Sequence, residues 1–522
     1  MKRESIVALL QKEPPRVWDV VVIGGGATGL GTALEAVTRG YKTLLLEQAD
    51  FAASTSSKST KLVHGGVRYL AQGDVGLVRE ASMERGLLVQ NAPHLVRNLA
   101  FVIPTFSTWE NIKYTMGLKM YDWLAGKLSL GSSVHISRQT TLEKLSTLKP
   151  DGLAGGVLYH DGQFDDSRLA VNLAQTIVDK GGTVLNYMKV TALHKDAFGR
   201  INGVTARDTL YHHELSFNAR AVINATGVFA DDILEMDNPQ APRSIAASQG
   251  VHVVLDSSFL PGHHALMIPE TSDGRVLFVV PWHNKVVVGT TDTPVKHISL
   301  EPHAMEEEIG FILKTAGQYL SRAPQREDVR SVWAGLRPLA AAKAEGHKTK
   351  EISRSHKIIV ASSGLLTIIG GKWTTYRRMA EDVIRKMEQV HKWKRTASAT
   401  HHLKLHGAAN KVNWEDPWFF YGSDRFQIHQ MVATQPDLQE LLSPSLHIIK
   451  AQVIWAVREE MARHIDDFLA RRTRALFLDA REALRIAPVV AAIMAAELGK
   501  GSDWIAEQLA AFEALANGYL LN

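Results

Sequence analysis

The chain contains no cysteine among its 522 residues. This absence excludes disulfides, thiolate nucleophiles and cysteine-ligated zinc or iron–sulfur centres from the chain. The remaining residue types do not predict a metal site either. Any redox chemistry must therefore depend on a bound organic cofactor.

Long apolar runs are also missing. A membrane-spanning helix needs roughly 20 consecutive apolar residues, and the longest candidate, residues 486–498, is shorter and includes Glu497. The N-terminal segment has only a short apolar patch between charged residues, so we do not expect a secretory signal. With 45% hydrophobic and 22% charged residues, the composition is typical of a soluble globular protein. A chain of this length predicts about two to four domains.

A concentrated basic tract is absent as well. The net charge is +5, but lysine and arginine are scattered along the chain and are not interleaved with aromatic residues. This distribution argues against nucleic acid as a partner. It leaves an anionic lipid surface or an anionic substrate as the reason for the positive charge.

The clearest pattern that is present is a glycine turn between a strand and a helix. Residues 20–23 form a short apolar run, and Gly24, Gly26 and Gly29 follow in the spacing G-x-G-x-x-G. The first glycine permits a tight turn, the second lets the backbone approach a pyrophosphate, and the third allows close packing of helix and strand. The helix that follows would direct its free N–H groups toward the anion. The sequence therefore predicts a dinucleotide-binding unit.

A second apolar strand, residues 43–46, ends at Glu47. A carboxylate at this position accepts hydrogen bonds from a ribose diol and disfavours a 2′-phosphate. This pattern does not distinguish FAD from NAD. Only one full fingerprint of this type is present, so a flavin reductase that uses NAD(P)H is disfavoured and the substrate is expected to supply the hydride.

Several later segments extend this organisation. Serine and threonine occupy every position of residues 54–60 except Lys58, and their hydroxyl and N–H groups suit a diphosphate or an isoalloxazine ring. Residues 221–227 and 365–371 repeat the pattern of an apolar strand that ends in a glycine turn. Residues 249–294 show the alternation of a mostly antiparallel sheet, and the chain after residue 401 is mostly helical.

Residues 112–128 have helical periodicity with an apolar side and a basic side. The apolar residues are Ile112, Met116, Met120, Trp123 and Leu124, and the lysines beside them are Lys113, Lys119 and Lys127. A basic helix with tryptophan is suited to a lipid surface. Packing between domains is the alternative interpretation of the same pattern.

Seven motifs together resemble the signature of FAD-dependent glycerol-3-phosphate dehydrogenases. They occur in the family's order between residues 17 and 388. The motifs are SSKSTKLVHGGVRYL (56–70), GQFDD (162–166), NATGVFADD (224–232), QGVHVV (249–254), GTTDTP (289–294), GLRPL (335–339) and GGKWTTYR (370–377). The helical tail is also similar to the C-terminal domain of that family.

The resemblance implies a mixed α/β fold. A Rossmann-like FAD-binding domain would be interleaved with an antiparallel-sheet substrate domain, and an α-helical C-terminal domain would follow. The FAD-dependent oxidoreductase region would cover residues 17–395, with FAD-binding segments at about 17–95, 155–240 and 350–395. The substrate-domain segments would be about 96–154 and 241–349, and the helical domain 400–522.

The resemblance also implies an activity. The family oxidises sn-glycerol 3-phosphate to dihydroxyacetone phosphate and passes electrons from reduced FAD to a membrane quinone. No long insertion lies between residues 289 and 337, which favours the dehydrogenase over the oxidase branch. The expected location is cytoplasmic, peripherally attached to the inner face of the cell membrane, and a homodimer is left open.

Substrate and catalytic residues follow from the matched motifs. Arg68 and Arg337 match substrate-binding positions, where a guanidinium fork suits a phosphate dianion. Tyr69 would add a hydroxyl. Lys372, at a helix start, would add a cation near the substrate and the reduced flavin.

Removal of a hydride from C2 requires a base for the hydroxyl proton, and histidine is suited to this role near neutral pH. The motifs favour His252 as the base, place His64 against the flavin, and include Arg337 among the catalytic residues. An arginine that orients an alkoxide is the alternative to a histidine base.

The resemblance assigns a larger set of residues to the cofactor. They are Gly24, Gly26, Thr28, Gly29, Glu47, Ser56, Ser57, Ser59, Leu62, His64, Gly65, Gly66, Val190, Ala225, Thr226, Gly227, Gly371, Lys372 and Thr374. Two other functions stay open at this point. One is a related flavoprotein that oxidises an amino or 2-hydroxy acid, and the other is a flavin-binding module without turnover.

Overall fold

The computed structural model describes residues 1–12, 16–66, 74–341, 356–409 and 411–521. Arg68 and Tyr69, which the sequence assigns to the substrate, lie outside these ranges, and the side chain of Lys127 is not described. Two large sheets and a helical C-terminal region organise the described chain. The mixed α/β fold class predicted from the sequence is confirmed.

The first sheet has a parallel centre. Its strands are β1 (Val17–Ile23), β2 (Thr43–Leu46), β7 (Thr183–Leu185), β8 (Met188–Lys195), β9 (Ile201–Asp208), β10 (Glu214–Asn224), β17 (Lys357–Val360) and β18 (Leu366–Ile369). β1 pairs in parallel with β2 and β10, β7 extends the sheet beyond β2, and β18 extends it beyond β10. β17, β9 and β8 add antiparallel pairs. The carboxyl ends of β1 and β10 therefore meet at one edge.

The second sheet is mostly antiparallel. Its strands are β3 (Leu62–Val63), β4 (Val96–Thr105), β5 (Val134–Ser137), β6 (Gly155–Phe164), β11 (Ile245–Asp256), β12 (His264–Ile268), β13 (Leu277–Trp282), β14 (Lys285–Gly289), β15 (Thr293–Pro294) and β16 (Ser331–Ala340). β11 lies between β14 and β16, so its side chains are held from both sides. A short hairpin of β19 (Leu441–Ser443) and β20 (Ile448–Ile449) lies in the C-terminal region.

Helices cover the first sheet and form most of the C-terminal region. In the first part of the chain they are α1 (Arg3–Lys12), α2 (Ala27–Thr38), α3 (Val75–Asn91), α4 (Thr108–Ala125), α5 (Arg138–Lys144), α6 (Asp166–Asp179), α7 (Ala230–Asp237), α8 (Glu306–Tyr319) and α9 (Tyr376–Val390). Those near the C-terminus are α10 (Arg425–Thr434), α11 (Lys450–Glu459), α12 (Ala475–Leu478), α13 (Ala480–Leu498) and α14 (Ser502–Asn517). Within the described ranges, no helix has the length and apolar character needed to cross a membrane.

The parallel sheet and α2 share one core. Val20 and Val22 of β1 and Leu30 and Leu34 of α2 are buried in the same cluster, which also includes residues of α6 and α9. The apolar residues of α2 recur at helical spacing, so one side of the helix faces the sheet. This packing fixes the position of the first turn of α2, where the glycines lie.

One strand lies where the sequence did not place it. β6 pairs with β4 from Val96↔Phe164 to Thr105↔Gly155, so residues 155–164 belong to the second sheet. The sequence assigned 155–240 to the FAD-binding segments. A strand's own residues do not say which distant strand it will pair with, and this explains the difference. The division of the chain into domains stays a prediction.

The arginines of the C-terminal region are buried. Arg471, Arg472 and Arg474 pack into the interior of the described chain. Arg472 binds both oxygens of Asp50 at 2.6 and 2.9 Å, and Arg474 lies 2.9 Å from Asp165. The C-terminal region thus holds the loops that follow β2 and β6.

A further buried ion pair joins α6 to the same region. Arg168 donates to both carboxylate oxygens of Glu460 at 2.8 and 2.7 Å, and both side chains are fully buried. Arg168→Met would remove both guanidinium hydrogen bonds and the nearest counter-ion from the buried Glu460 carboxylate and leave it only Arg472, at 3.8 Å. We therefore expect this variant to lower the free energy of unfolding by about 3–5 kcal/mol. The shift of the urea midpoint, together with its slope, measures this loss.

The matched control is Arg458→Met. Arg458 also binds a carboxylate through two nitrogens, at 2.6 and 2.9 Å from Glu497, but it does so at the surface. Exposed pairs contribute about 0–1 kcal/mol. Equal losses of unfolding free energy in the two variants would contradict the larger contribution that we expect from the buried pair.

Candidate functional site

The glycine turn after β1 is closed so tightly that side chains would not fit. Gly24 has φ +110°, in the region that favours glycine, and its N–H donates to Leu46 O at 2.8 Å. A Cβ on Gly29 would collide with the carbonyl oxygen of Gly24. The N-terminus of α2 therefore approaches β1 closely, and Ala27 N donates to Ser56 Oγ at 2.9 Å. This is the geometry that a pyrophosphate requires.

Glu47 is held by backbone groups at the end of β2. Its carboxylate accepts from Gly25 N at 2.6 Å and from Ala49 N at 2.9 Å. Burial raises the pKa of Glu47, and the two N–H donors oppose that rise without cancelling it. The side chain lines the cavity beside the glycine turn, where a ribose would offer it hydroxyl donors.

A cavity of about 410 Å³ opens at the carboxyl edge of the parallel sheet. Eleven residues of the predicted cofactor set line it. They are Gly24, Gly26, Thr28, Glu47, Ser56, Val190, Ala225, Thr226, Gly227, Gly371 and Lys372. Residues from six separate stretches of sequence thus meet at one place, as expected where the ends of parallel strands adjoin.

A second cavity of about 310 Å³ continues from the first. Both are lined by Thr55, Pro338 and residues 370–373, so the two form one elongated space. The predicted residues that line the second cavity are Ser59, Leu62, His64, Gly66, His252, Arg337, Gly371, Lys372 and Thr374. The residues assigned to catalysis and those assigned to the far end of the cofactor therefore share this space.

Three predicted cofactor residues line neither cavity. Gly29 is packed against Gly24, and Ser57 is buried with its hydroxyl donating to Ser54 O at 3.3 Å. Gly65 N donates to Tyr121 Oη at 2.8 Å. These three residues shape the backbone around the two cavities, and none of them lines a cavity wall.

His252 lies on β11 between β14 and β16. Its ring is stacked on Trp333 with 5.3 Å between centroids, and Nε2 lies 2.9 Å from Thr60 Oγ1. A Cβ on Gly289, its partner on β14, would collide with the imidazole, so glycine at that position leaves room for the ring. The orientation of His252 is therefore fixed from both neighbouring strands and from the loop at Thr60.

The ring of His252 is neutral near physiological pH. Burial, followed by the positive charges of Arg337 and Lys61, lowers the pKa of His252 well below its usual 6.5. Nδ1 is buried and has no hydrogen-bond partner among the described residues. A neutral imidazole can accept a proton, which a charged one cannot.

Arg337 projects from β16 into the second cavity. Nη1 donates to Gln249 O and contacts Asp292 Oδ1, each at 3.2 Å. Nη2 donates to Thr290 Oγ1 at 3.2 Å and to Thr291 O at 2.9 Å. The guanidinium is thereby fixed in direction while part of the side chain stays open to the cavity.

A buried lysine supports the loop that carries Thr60. Lys61 Nζ lies 2.8 Å from both oxygens of Asp166 and donates to Ser57 O at 2.6 Å. Ser59 Oγ donates to the same carboxylate at 2.6 Å. Burial lowers the pKa of Lys61, and the charge of Asp166 opposes this. The ion pair holds the loop against α6 directly below the second cavity.

Sequence reasoning missed two residues of the cavity wall. Thr60 lies in the matched loop and bonds the His252 ring, but a threonine among many hydroxyl residues gave no separate signal. Arg275 enters from the turn before β13, and its Nη1 is buried without a hydrogen-bond partner among the described residues. Only the three-dimensional arrangement identifies this second arginine beside Arg337.

The residues present fit FAD. The elongated double cavity, the turn that admits no Cβ and the half-buried Glu47 correspond to the pyrophosphate and ribose parts of a dinucleotide. The second cavity has an apolar wall that includes Phe101, Met267 and Phe278. Among the residues that the structure describes, no group of His, Asp or Glu side chains is arranged to hold a metal ion.

Comparison with known families identifies two regions. Residues 19–377 match a family described as FAD dependent oxidoreductase. Residues 398–504 match a family described as the C-terminal domain of alpha-glycerophosphate oxidase. Together these matches span both large sheets and most of the helical region.

Whole-chain relatives are similar over most of their length. A protein of Caenorhabditis elegans named probable glycerol-3-phosphate dehydrogenase, mitochondrial, is 39% identical over 545 residues, covering 98% of this chain and 74% of that protein. The mitochondrial glycerol-3-phosphate dehydrogenase of Schizosaccharomyces pombe is 38% identical, covering 92% and 84%.

Solved structures show the same architecture. The glycerol-3-phosphate dehydrogenase of Bacillus halodurans, complexed with FAD, has a TM-score of 0.78 and 28% identity, with 99% of this chain and 97% of that chain covered. An L-alpha-glycerophosphate oxidase of Mycoplasma pneumoniae with FAD bound has a TM-score of 0.57 at 17% identity, over 74% of this chain and 98% of that chain, and shows the fold alone.

Proposed function

Since this chain belongs to the glycerol-3-phosphate dehydrogenase family of FAD-dependent oxidoreductases, we propose that it oxidises sn-glycerol 3-phosphate to dihydroxyacetone phosphate. One observation carries the proposal. The second cavity brings a neutral, buried His252 and a fixed Arg337 into one space of about 310 Å³ that continues into the dinucleotide cavity. That space suits a small phosphorylated alcohol.

The cationic side chains of the second cavity would hold the phosphate. Arg337 is already oriented by Asp292, the Thr290 hydroxyl and the Thr291 carbonyl, so little side-chain freedom is lost when an anion binds. Lys372 lines both cavities and would place a positive charge between the substrate and the dinucleotide. Arg68 and Tyr69 stay predictions from the sequence.

His252 would take the proton of the C2 hydroxyl as that carbon becomes a ketone. Bound FAD would accept the hydride from C2. We assign Nε2 as the atom that receives the proton, which requires the Thr60 hydroxyl, 2.9 Å away, to give up its hydrogen bond to this nitrogen when the alcohol binds. Stacking on Trp333 keeps the ring in place. The low pKa of His252 keeps this nitrogen unprotonated at neutral pH.

An anaerobic titration tests the proposed reaction. We expect the flavin absorbance band of the FAD-loaded protein to be bleached by glycerol 3-phosphate, because the substrate reduces the flavin when no acceptor is present. Glycerol, lactate and alanine serve as matched additions for an alcohol without phosphate, a 2-hydroxy acid and an amino acid. A flavin-replete sample that glycerol 3-phosphate does not bleach would exclude the proposed function.

A membrane quinone is the electron acceptor that we propose, and α4 supports a membrane location. Leu118 and Tyr121 of this helix are buried, whereas Met116 is 68% and Trp123 is 78% exposed. Ile112 and Met120 are exposed on the same helix. The apolar side predicted from the sequence thus faces outward, as expected for a helix that rests in the headgroup region of a bilayer.

Replacement of this exposed side is expected to weaken membrane binding. The double variant Met116→Ser and Trp123→Ser should float less with anionic vesicles than the unchanged protein, because it buries less apolar surface in the lipid. Flotation at low salt measures the bound fraction. Phe198→Ser is the control, since Phe198 is 89% exposed in a hairpin loop outside α4.

Equal flotation of the α4 variant and the control would contradict the membrane role of α4. A protein that stays wholly unbound in both forms would contradict peripheral attachment itself. The cytoplasmic side of the cell membrane and a homodimer stay predictions, and two of the relatives are named as mitochondrial proteins.

A further inference from the structure

We propose that a third cavity binds a small molecule in which a carboxylate or phosphate is attached to a flat, apolar body. The cavity has a volume of about 520 Å³ and lies where the β13–β14 hairpin of the second sheet meets the segment at Trp414 and Phe419. Its wall shares no residue with the two cavities that suit FAD and substrate. The volume is within the usual range for ligand sites, about 300–1,000 Å³.

Arg97 supplies the positive charge of this cavity. Its Nε donates to Gln163 Oε1 at 2.7 Å, which fixes the direction of the guanidinium. Its two Nη atoms make no hydrogen bond and no ion pair with any described residue, although Arg97 lines the cavity. Burial lowers the pKa of Arg97, and no neighbouring carboxylate offsets that effect.

Fully buried cations of the described chain have carboxylate partners, whereas the half-buried Arg97 has none. Arg168 binds Glu460 through two nitrogens, and Lys61 binds both oxygens of Asp166. A buried cation without a counter-ion is costly, because desolvation is not offset by attraction. Arg97 is half-buried and carries part of this cost, because its Nη atoms have no carboxylate partner among the described residues; an anion in the cavity would supply one.

The carboxylates of the cavity wall do not form ion pairs with Arg97. Asp165 is bound by Arg474 at 2.9 Å and lies 3.3 Å from His283. Asp256 lies 3.7 Å from Lys285. Both acidic side chains thus have cations of their own, and the charge of Arg97 is left for a ligand.

Aromatic rings form the rest of the wall. The guanidinium of Arg97 lies 5.7 Å from the ring centre of Trp414. His283 is stacked on Phe419 with 5.4 Å between centroids and an angle of 10°, and Trp282 lies 4.9 Å from the same imidazole. Flat apolar surfaces beside a guanidinium fork favour a planar body that carries an oxyanion.

Calorimetric titration of the FAD-loaded protein tests this site. Benzoate and phenyl phosphate are the probes, and benzamide is the neutral analogue of the same shape. We expect at least one oxyanion probe to bind at millimolar concentration and benzamide to bind at least about tenfold more weakly. The stronger of the two oxyanions identifies the anion class. Equal binding of benzamide, or no binding of either oxyanion up to about 10 mM, would overturn the proposal.

Substitution locates the binding. Arg97→Gln should weaken the oxyanion probe about tenfold or more, whereas Arg138→Gln, at an exposed arginine elsewhere, should not change it. Arg337→Ala should also retain binding, which separates this cavity from the substrate site. Loss of binding in Arg337→Ala with retention in Arg97→Gln would overturn the proposal. If Arg97→Gln does not fold, the comparison of probes on the unchanged protein still decides.

Discussion

Replacement of His252 by Asn is expected to slow reduction of the flavin by glycerol 3-phosphate about 10²–10⁴-fold. The amide keeps a polar group near Thr60 and is close in size to the imidazole, so the cavity wall is retained. It cannot accept the C2 hydroxyl proton at neutral pH, so hydride removal loses its base. Rapid mixing under anaerobic conditions at saturating substrate measures the rate, and the FAD content should not change.

His94→Asn is the matched control for this experiment. His94 is buried and lies 3.0 Å from Asn172 Oδ1, away from both cavities. Its replacement can lower stability but should leave the rate of flavin reduction unchanged. A His252→Asn rate within about a factor of ten of the unchanged enzyme would contradict the base assignment and favour an arginine that orients an alkoxide.

The pH profile gives a second signature of the same residue. Because burial, Arg337 and Lys61 hold the pKa of His252 well below 6.5, its neutral form predominates at neutral pH. The acid limb of the reduction rate that belongs to His252 should therefore lie below pH 6.5 and disappear in His252→Asn. The unfolded chain binds this proton more readily, so the contribution of His252 to stability is lost as pH falls below 6.5.

The parallel half of the fold follows from local signals. The strand at 20–23, the glycine turn and α2 are contiguous in sequence, so their mutual packing is decided within one short stretch. The same holds for the turn at 370–371 and α9. Such β-to-helix units have few possible arrangements, so the carboxyl edge where they meet is predictable from the sequence.

The sequence predicted that the second sheet is mostly antiparallel, but it did not predict which strands pair with each other. Alternation in 249–294 indicated antiparallel strands, and the structure has them. Some of these strands pair with segments far away in the sequence, as Val96 does with Phe164, and the strand β6 has no local feature that assigns it to β4. This is why a boundary drawn at residue 155 separated two strands that lie side by side.

Buried charge was the least predictable feature. Nothing in the sequence distinguishes Arg472, Arg474 and Lys61 from surface cations. Their burial is possible only because each has a carboxylate partner. Those partners lie on other elements. Arg275 was missed for the same reason, because a single arginine after a turn does not show which cavity it enters.

The apolar side of α4 shows the opposite case. The sequence defined the helix and its apolar residues but left two interpretations, lipid contact and domain packing. The structure buries Leu118 and Tyr121 and leaves Met116 and Trp123 exposed. Helical periodicity gives the angle between two sides of a helix and does not say which side the rest of the protein covers.

Arg337→Ala is expected to weaken binding of glycerol 3-phosphate about a hundredfold while FAD stays bound. Removal of one partner of a charge-assisted contact between a guanidinium and a phosphate costs about 2–5 kcal/mol once the bound anion has closed the half-buried Arg337 off from water. The carboxylate of Asp292, 3.2 Å from Arg337 Nη1, adds to this loss because its negative charge would then face the phosphate with one cation fewer. The dependence of the anaerobic flavin-reduction rate on glycerol 3-phosphate concentration, measured by rapid mixing, gives the apparent dissociation constant.

Two further variants show which property of Arg337 determines substrate affinity. Arg337→Lys separates the charge of the side chain from its geometry, and Arg322→Ala controls for the general effect of removing an arginine. Lysine keeps the charge but not the fork, so its loss of affinity should be intermediate. Arg322 is exposed and pairs with Asp328 away from the cavities, so its replacement should leave substrate affinity unchanged. An Arg337→Ala dissociation constant within about threefold of the unchanged protein would exclude Arg337 as a phosphate ligand.

A comparison of kcat/KM for glycerol 3-phosphate and for glycerol tests most directly whether Arg337 binds the phosphate. Glycerol lacks the phosphate, so we expect any reaction of glycerol with the unchanged enzyme to proceed without a contribution from the guanidinium. Arg337→Ala should therefore lower kcat/KM for glycerol 3-phosphate and leave kcat/KM for glycerol nearly constant. The ratio of the two kcat/KM values should fall about a hundredfold, which equals the expected loss of affinity for glycerol 3-phosphate. An equal loss for both substrates would mean that Arg337 acts on the reacting carbon, which is the role left open for an arginine that orients the alkoxide.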